Sequence, residues 1–220
     1  LSTNPVDENI SYSWKLKEWF PDLEPAILNK LKLYADLIVK FNKTVALVGP
    51  KTIPFIDSLH FADSILSYRV IHKENPTLDH LYDFGSGNGF PGLVYAILNP
   101  KMKITLVDSD VKKIDSLKQI ITSLSLTNVD TLVSTIEALP ADSIRFAVSR
   151  GFANVSKSIL VARKCILKGG IYYHLKSEQW GLEVGEIPIQ LCSIWNPALV
   201  SEYKIPNVPV KFAVIKTTKN

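Results

Sequence analysis

The segment Asp83-Phe84-Gly85-Ser86-Gly87-Asn88-Gly89-Phe90-Pro91-Gly92 places four glycines behind an acidic residue. The apolar run His80–Phe84 leads into it, and a helix-like stretch, Pro91–Leu98, leads out. Glycines in such a turn allow positive φ and let the backbone approach a ligand where a Cβ would collide. A dinucleotide fingerprint spaces them G-x-G-x-x-G, to seat a pyrophosphate on a helix N-terminus. Here the third glycine comes one position early, at Gly89, and Phe90 fills the dinucleotide position. Pro91 also removes an N–H from the first helical turn. The pattern D-x-G-x-G-x-G therefore suits a nucleoside that carries no phosphate, namely S-adenosylmethionine (SAM). Asp83 can meet its ammonium end, directly or through a bridge. Asp108 ends the next apolar run, where an acid accepts ribose hydroxyls. The candidate cofactor residues are Asp83, Gly85, Ser86, Gly87, Gly89, Phe90 and Asp108. A structural glycine turn and an NAD or FAD site are the alternatives.

A second group narrows the chemistry. Enzymes that methylate exocyclic amines hold them with an Asp/Asn-Pro-Pro-aromatic loop, but that position reads Ser149-Arg150-Gly151-Phe152-Ala153-Asn154. Carbon-5 of a pyrimidine needs a cysteine nucleophile, and neither Cys165, in an expected helix, nor Cys192 is well placed. A ribose hydroxyl needs a general base. Guanine N7 offers an in-plane lone pair and needs chiefly alignment. Arg150 can hydrogen-bond guanine O6 or a phosphate and Phe152 can stack on a base; alternatively, Phe152 packs in the core and Arg150 pairs with a surface acid. His60, Asp63 and Ser64 share a face if the chain there is helical. That face meets substrate and cofactor, or it merely joins a helical unit to a sheet.

These residues need elements to position them. Ile27, Leu28, Leu31, Tyr34, Ile38 and Phe41 recur at helical spacing behind Pro25, and a second helix is expected over Pro54–Val70. The polar stretch His72–Asp79, with Pro76, divides a helical N-terminal unit (residues 1–75) from a cofactor-binding domain (residues 76–220). Beyond it, the apolar runs His80–Phe84, Lys103–Val107, Asp130–Val133, Phe146–Ser149 and Gly170–Leu175 alternate with helix-like stretches at Pro91–Leu98, Lys112–Leu124 and Ser156–Leu167. That order predicts an α/β, doubly wound parallel sheet. Val210–Lys216 follows a proline-rich coil and predicts a closing antiparallel strand, hence a mixed sheet.

Composition sets the bounds. Apolar residues are 46% and charged residues 21%, which suits a globular chain. No apolar stretch has the length of a membrane span, and Leu1–Ile10 does not read as a signal peptide. The two cysteines read as buried free thiols in a reducing cytoplasm, with no metal-ligand spacing. Residues 1–75 hold 9 Lys/Arg against 9 Asp/Glu, and residues 76–220 hold 16 against 12, so the net charge of +4 lies in the second part. That surplus fits an RNA partner without demanding one.

The same residues resemble a known family, ribosomal RNA small subunit methyltransferase G, from about Leu31 to the end. The glycine loop followed by Phe90-Pro91-Gly92 is the most specific match. Leu106-Val107-Asp108-Ser109 with Lys112-Lys113, Ser149-Arg150-Gly151-Phe152-Ala153, Leu175-Lys176, His60-Phe61-Ala62-Asp63-Ser64 and Tyr203-Lys204-Ile205-Pro206 match further family blocks. The resemblance implies a Rossmann-like class I SAM-dependent methyltransferase fold, a mixed seven-stranded sheet with a helical N-terminal extension. It implies a cytoplasmic bacterial enzyme that methylates guanine N7 in small-subunit (16S) ribosomal RNA. Whether free RNA or the 30S subunit is the substrate stays open, as does the oligomeric state, with a monomer expected; no metal is expected. Under it Arg150, His60 and Asp63 are the catalytic candidates. Ile136, Glu137 and Arg150 join the cofactor set, and Ser64, Phe152, Lys176 and Lys112 face the substrate. The chain departs from the family pattern at Ala46 and Val48 (family N-L-T), Arg145 (family Asp), Ser134-Thr135-Ile136 (family R-A-E, leaving only Glu137 of the block) and Lys211 (family Arg). A SAM enzyme acting on a small molecule or protein, and a non-catalytic SAM- or RNA-binding module, are the competing functions.

Overall fold

A computed structural model describes residues 11–220; the leading segment examined for a signal peptide lies outside the described residues. Helices α1 (Leu16–Trp19), α2 (Pro25–Phe41) and α3 (Asp63–Glu74) precede the sheet. Seven strands follow: β1 (His80–Phe84), β2 (Lys103–Asp108), β3 (Val129–Val133), β4 (Ile144–Arg150), β5 (Ile166–Ser177), β6 (Trp195–Lys204) and β7 (Lys211–Lys219). Between them run α4 (Gly92–Leu98), α5 (Val111–Ser123), α6 (Val155–Ala162), α7 (Trp180–Gly185) and α8 (Ile189–Cys192). The strand order is β3-β2-β1-β4-β5-β7-β6. The first five strands are parallel, and β7 runs antiparallel to both β5 and β6. This is the mixed seven-stranded sheet expected above, closing on an antiparallel strand.

Strand alternation divides the core between two faces. Leu81, Leu106, Val148 and Tyr173 point toward α2, α3, α4 and α5; Phe84, Val107, Ala147 and Tyr172 point toward α6 and the α7–α8 segment. Helix α2 buries Leu31, Tyr34, Ala35 and Ile38, the three- and four-residue steps of its apolar stripe. Helix α4 is apolar on every side and buried along nearly its whole length. Its one polar side-chain atom, the Tyr95 hydroxyl, donates to Ser67 Oγ on α3 at 2.9 Å. Asp110 caps α5 by accepting from the N–H groups of Lys112 (2.9 Å) and Lys113 (3.2 Å), and Asn154 caps α6 through Lys157 N–H (2.9 Å).

Three expectations need correction. The second helix does not run uniformly from Pro54: the chain makes a 3-10 turn (Ile53–Phe55) and a π-helical turn (Asp57–Ala62), and becomes α-helical only at Asp63. The helix expected to reach Leu167 stops at Ala162, and Ile166 already pairs in β5. The proline-rich coil before the last strand is largely β6. Pro197 is tolerated there because β6 is an edge strand, where the lost N–H need not be a ladder bond.

Candidate active site

The β1–α4 turn lies where the sheet order reverses, between β2 on one side and β4 on the other, and such switch points form a crevice at the carboxyl ends of the strands. A cleft of about 850 Å³ opens there, within the roughly 300–1,000 Å³ typical of small-molecule sites. One wall is the glycine loop, with Gly85, Ser86, Gly87, Asn88 and Phe90; Asp108 and Ser134–Glu137 continue it. Asp63, Arg150, Phe152 and Lys176 line the cleft as well. Gly85 and Gly87 take φ of +68° and +53°. A Cβ on Gly85 would stand 2.5 Å from Phe152 Cδ2, so the aromatic ring closes directly on the loop.

Asp108 bridges this wall. Its Oδ2 accepts the Gly87 N–H at 2.8 Å and its Oδ1 the Asp110 N–H at 2.9 Å. The carboxylate thus faces the cleft already braced, with lone pairs to spare for further donors. The chemistry of this lining is compatible with SAM: it offers a glycine turn open at Gly87, a carboxylate with free lone pairs, and an apolar Ile136 beside Glu137.

Arg150, at the end of β4, is held from the N-terminal helices. Its Nη1 donates to the Leu59 carbonyl and to Asp63 Oδ2, both at 3.0 Å, and its Nη2 donates to His60 Nδ1 at 2.7 Å. The guanidinium lies 5.3 Å from the Phe90 ring centroid, adding a cation–π contact. Asp63 Oδ1 accepts the Tyr203 hydroxyl at 2.6 Å. Burial, and then the Arg150 charge, hold the His60 pKa well below the usual imidazole value. His60 is therefore a neutral acceptor at Nδ1, with its ring proton on Nε2, 3.3 Å from Thr52 Oγ1. The readings that paired Arg150 with a surface acid or put Phe152 in the core both give way: Arg150 binds a buried acid, and Phe152 is 38% exposed at the cleft.

Several candidates stand elsewhere. Ser64 is fully buried and donates to the His60 carbonyl at 2.7 Å, so it does not present to a substrate. Gly89 is excluded from the lining because its missing Cβ makes room for the Tyr34 hydroxyl, which would be 2.6 Å away; that hydroxyl donates to the Asn88 carbonyl at 2.7 Å. Lys112 is exposed outside the cleft, and its neighbour Lys113 lines it. Lys176 does line the cleft, but its ammonium is taken by the Ala153 carbonyl (2.5 Å) and Glu183 (2.7 Å), which pins the loop after β4. Neither cysteine lines the cleft. Cys165 is buried, its thiol pushed up to about 11 chiefly by that burial, and it sits between α6 and β5 rather than inside a helix; Cys192 is exposed rather than buried.

Asp83 is buried behind the loop rather than in its lining. Oδ2 accepts the Gly92 N–H at 2.9 Å, while Oδ1 has no hydrogen-bond partner among the described residues. Burial raises its pKa to about 7 against the opposing pull of the Gly92 bond and Arg150. Between about pH 4 and 7 the folded protein keeps a proton that the unfolded chain has released, so this group's stabilisation is complete at low pH and disappears as pH rises through 7. Comparing thermal or urea unfolding of the wild type and Asp83→Asn should show the wild type losing roughly 1.4 kcal/mol per pH unit relative to the variant across that window. A pH-independent difference would place the carboxyl at an ordinary pKa.

Tyr203, Tyr34 and Thr52 support the site from behind its lining and have no assigned role in the sequence reading, whereas Lys113 belongs to the Lys112-Lys113 block named there. Tyr203 stood in a recognised block without a role, and its partner Asp63 is 140 residues away. Tyr34 was visible only as part of an apolar stripe.

Comparison with known proteins bears on the fold and the family. Among solved structures, a tRNA (m1A58) methyltransferase from Aquifex aeolicus superposes with TM-score 0.55 at 12% identity, over 85% of this chain and 76% of that one, which supports the Rossmann-like methyltransferase fold. A ribosomal RNA small subunit methyltransferase G 3 from Bdellovibrio bacteriovorus is 51% identical over 94% of this chain and 93% of its own length. A ribosomal RNA small subunit methyltransferase G from Laribacter hongkongensis is 27% identical over 83% and 84%. The family model described as GidB, rRNA small subunit methyltransferase G, matches residues 27–194. The chain belongs to the rRNA small subunit methyltransferase G family.

Proposed function

We propose that this protein is a SAM-dependent methyltransferase that modifies guanine N7 in small-subunit ribosomal RNA. The observation that carries the reading is the cleft itself, which gathers a glycine cradle, Asp108, Arg150 and Phe152 in one lining. When bound, SAM supplies an electrophilic methyl group on a sulfonium. Asp108 would accept its ribose hydroxyls, Ile136 and Glu137 would flank its base, and Gly87 leaves the backbone open to close approach. Arg150 offers N–H donors toward guanine O6 or a flanking phosphate, and Phe152 offers an exposed ring to a base plane. His60 and Asp63 touch Arg150 rather than act as proton acceptors: one is neutral and engaged, the other is ion-paired. A nucleophile that arrives with its lone pair free suits such a site, because alignment can supply most of the rate.

Charge placement supports an RNA partner. Lys112 and Lys113 open α5, and Lys157 lies in the first turn of α6. These helices follow β2 and β4, so their first turns lie at the carboxyl end of the sheet, the end that carries the cleft. Phosphate contacts there would make binding strongly salt-dependent. Arg163 and Lys164 lie at the other end of α6.

Incubation with tritiated SAM and undermethylated 30S subunits should label the RNA and release 7-methylguanine on hydrolysis. Arg150→Ala should lower that labelling at least ~100-fold, the scale of losing a preorganised charge-assisted donor, while calorimetry shows SAM affinity changed only a few-fold. RNA that stays unlabelled would redirect the search to a small-molecule or protein acceptor, and equal losses in transfer and SAM affinity would move Arg150 to the cofactor side.

A further inference from the structure

We propose that Tyr203 is a positioning residue for methyl transfer, its hydroxyl fixing the Asp63 carboxylate so that Asp63 grips Arg150 through one oxygen only. This rests on the reading that Arg150 meets the acceptor base. Asp63 is 3% exposed, and each of its oxygens has a different partner: Oδ1 takes the Tyr203 hydroxyl and Oδ2 takes Arg150 Nη1. A carboxylate beside a guanidinium otherwise favours two parallel N–H···O bonds.

The count of donors shows what this arrangement protects. A guanidinium has five N–H groups. The Leu59 carbonyl, Asp63 and His60 use three of those on Arg150, leaving the Nε–H and one Nη2–H without a protein acceptor among the described residues. Since Arg150 lines the cleft, these are the donors available to an incoming base or phosphate. Without the Tyr203 hydroxyl, Oδ1 is a buried anionic oxygen lacking a partner, and Arg150 is the nearby donor able to satisfy it. The guanidinium would turn toward Asp63, and the acceptor would lose its fork. Tyr203 is well supported in this task. It comes from β6, and its ring stacks on Phe212, a cleft-lining residue of β7, with centroids 6.1 Å apart.

Tyr203→Phe removes the hydroxyl and keeps the ring on Phe212. Methyl transfer to undermethylated 30S subunits at saturating SAM should fall roughly tenfold, the size expected for one hydrogen bond to a charged group. SAM affinity by calorimetry should stay within twofold, and the thermal midpoint should move little. In an Arg150→Ala background the same substitution should cost nothing further. Transfer by Tyr203→Phe within twofold of the wild type, or SAM affinity and thermal midpoint falling in step with transfer, would overturn the proposal. So would an equal additional loss in the Arg150→Ala background. Full transfer by Arg150→Ala alone would instead remove the reading beneath it, which separates the two failures.

Discussion

Replacing Asp63 by alanine should destabilise the protein by about 3–5 kcal/mol, the scale of breaking a buried ion pair from one side. The Asp63 and Arg150 side chains are 5% and 16% exposed, so water cannot easily take over from the lost carboxylate. The Tyr203 hydroxyl and one Arg150 donor would lose their acceptor together. Asp63→Asn keeps an acceptor oxygen and should cost less, although a neutral amide leaves the Arg150 charge uncompensated. Urea unfolding followed by far-UV circular dichroism would measure both. Methyl transfer should be lost in both variants, because each lets the guanidinium leave its place. If Asp63→Ala unfolds at the wild-type urea concentration, the pair is solvated in solution and Arg150 is not anchored as described.

Asp108→Ala should weaken SAM binding by about 2–4 kcal/mol, or roughly 30- to 1,000-fold in Kd, since hydrogen bonds to a charged acceptor contribute about 1.5–3 kcal/mol each. Two effects add. The carboxylate can no longer accept ribose hydroxyls, and the Gly87 N–H loses its 2.8 Å bond, which loosens the cradle. Asp108→Asn should fall between, because its single carbonyl oxygen can serve the loop or the sugar. The fold should survive both, as the side chain is only half-buried at the cleft. Isothermal titration with SAM and with its demethylated product would decide it; a Kd within threefold of the wild type would remove Asp108 from the cofactor site.

The sheet was legible where two local rules agreed. Leu81, Leu106 and Val148 lie in apolar runs bounded by turn residues, and each run became a strand. The glycine spacing and Asp108 were legible because both belong to a single strand-turn-helix-strand unit, with no long-range contact needed to interpret them. The strand β6 was hidden because Pro197 normally argues against a strand, and only the completed topology reveals that it occupies an edge. Ser64 was misread for a related reason. Spacing assigns it the face of His60 and Asp63, but the side chain is fully buried and its hydroxyl bonds back to the His60 carbonyl one turn earlier. Lys112 and Lys113 are neighbours of identical chemistry, and the sequence holds nothing to choose between them; the Asp110 cap fixes where the helix starts, and so which lysine faces the cleft. The clamp on Arg150 draws on residues 87 to 91 positions earlier and, through Asp63, on Tyr203, a set that no local pattern encodes.

The all-apolar helix α4 bears on how the protein can be dissected. Pro76 invites a cut that would release residues 76–220 as a free-standing catalytic piece. Such a fragment would carry α4 without the contacts it makes with α2 and α3, and with the Tyr95 hydroxyl missing Ser67. It is expected to expose apolar surface on α4 that the whole chain buries. The leading helices thus serve as a cover over the first crossover, and a cut at Pro76 removes that cover.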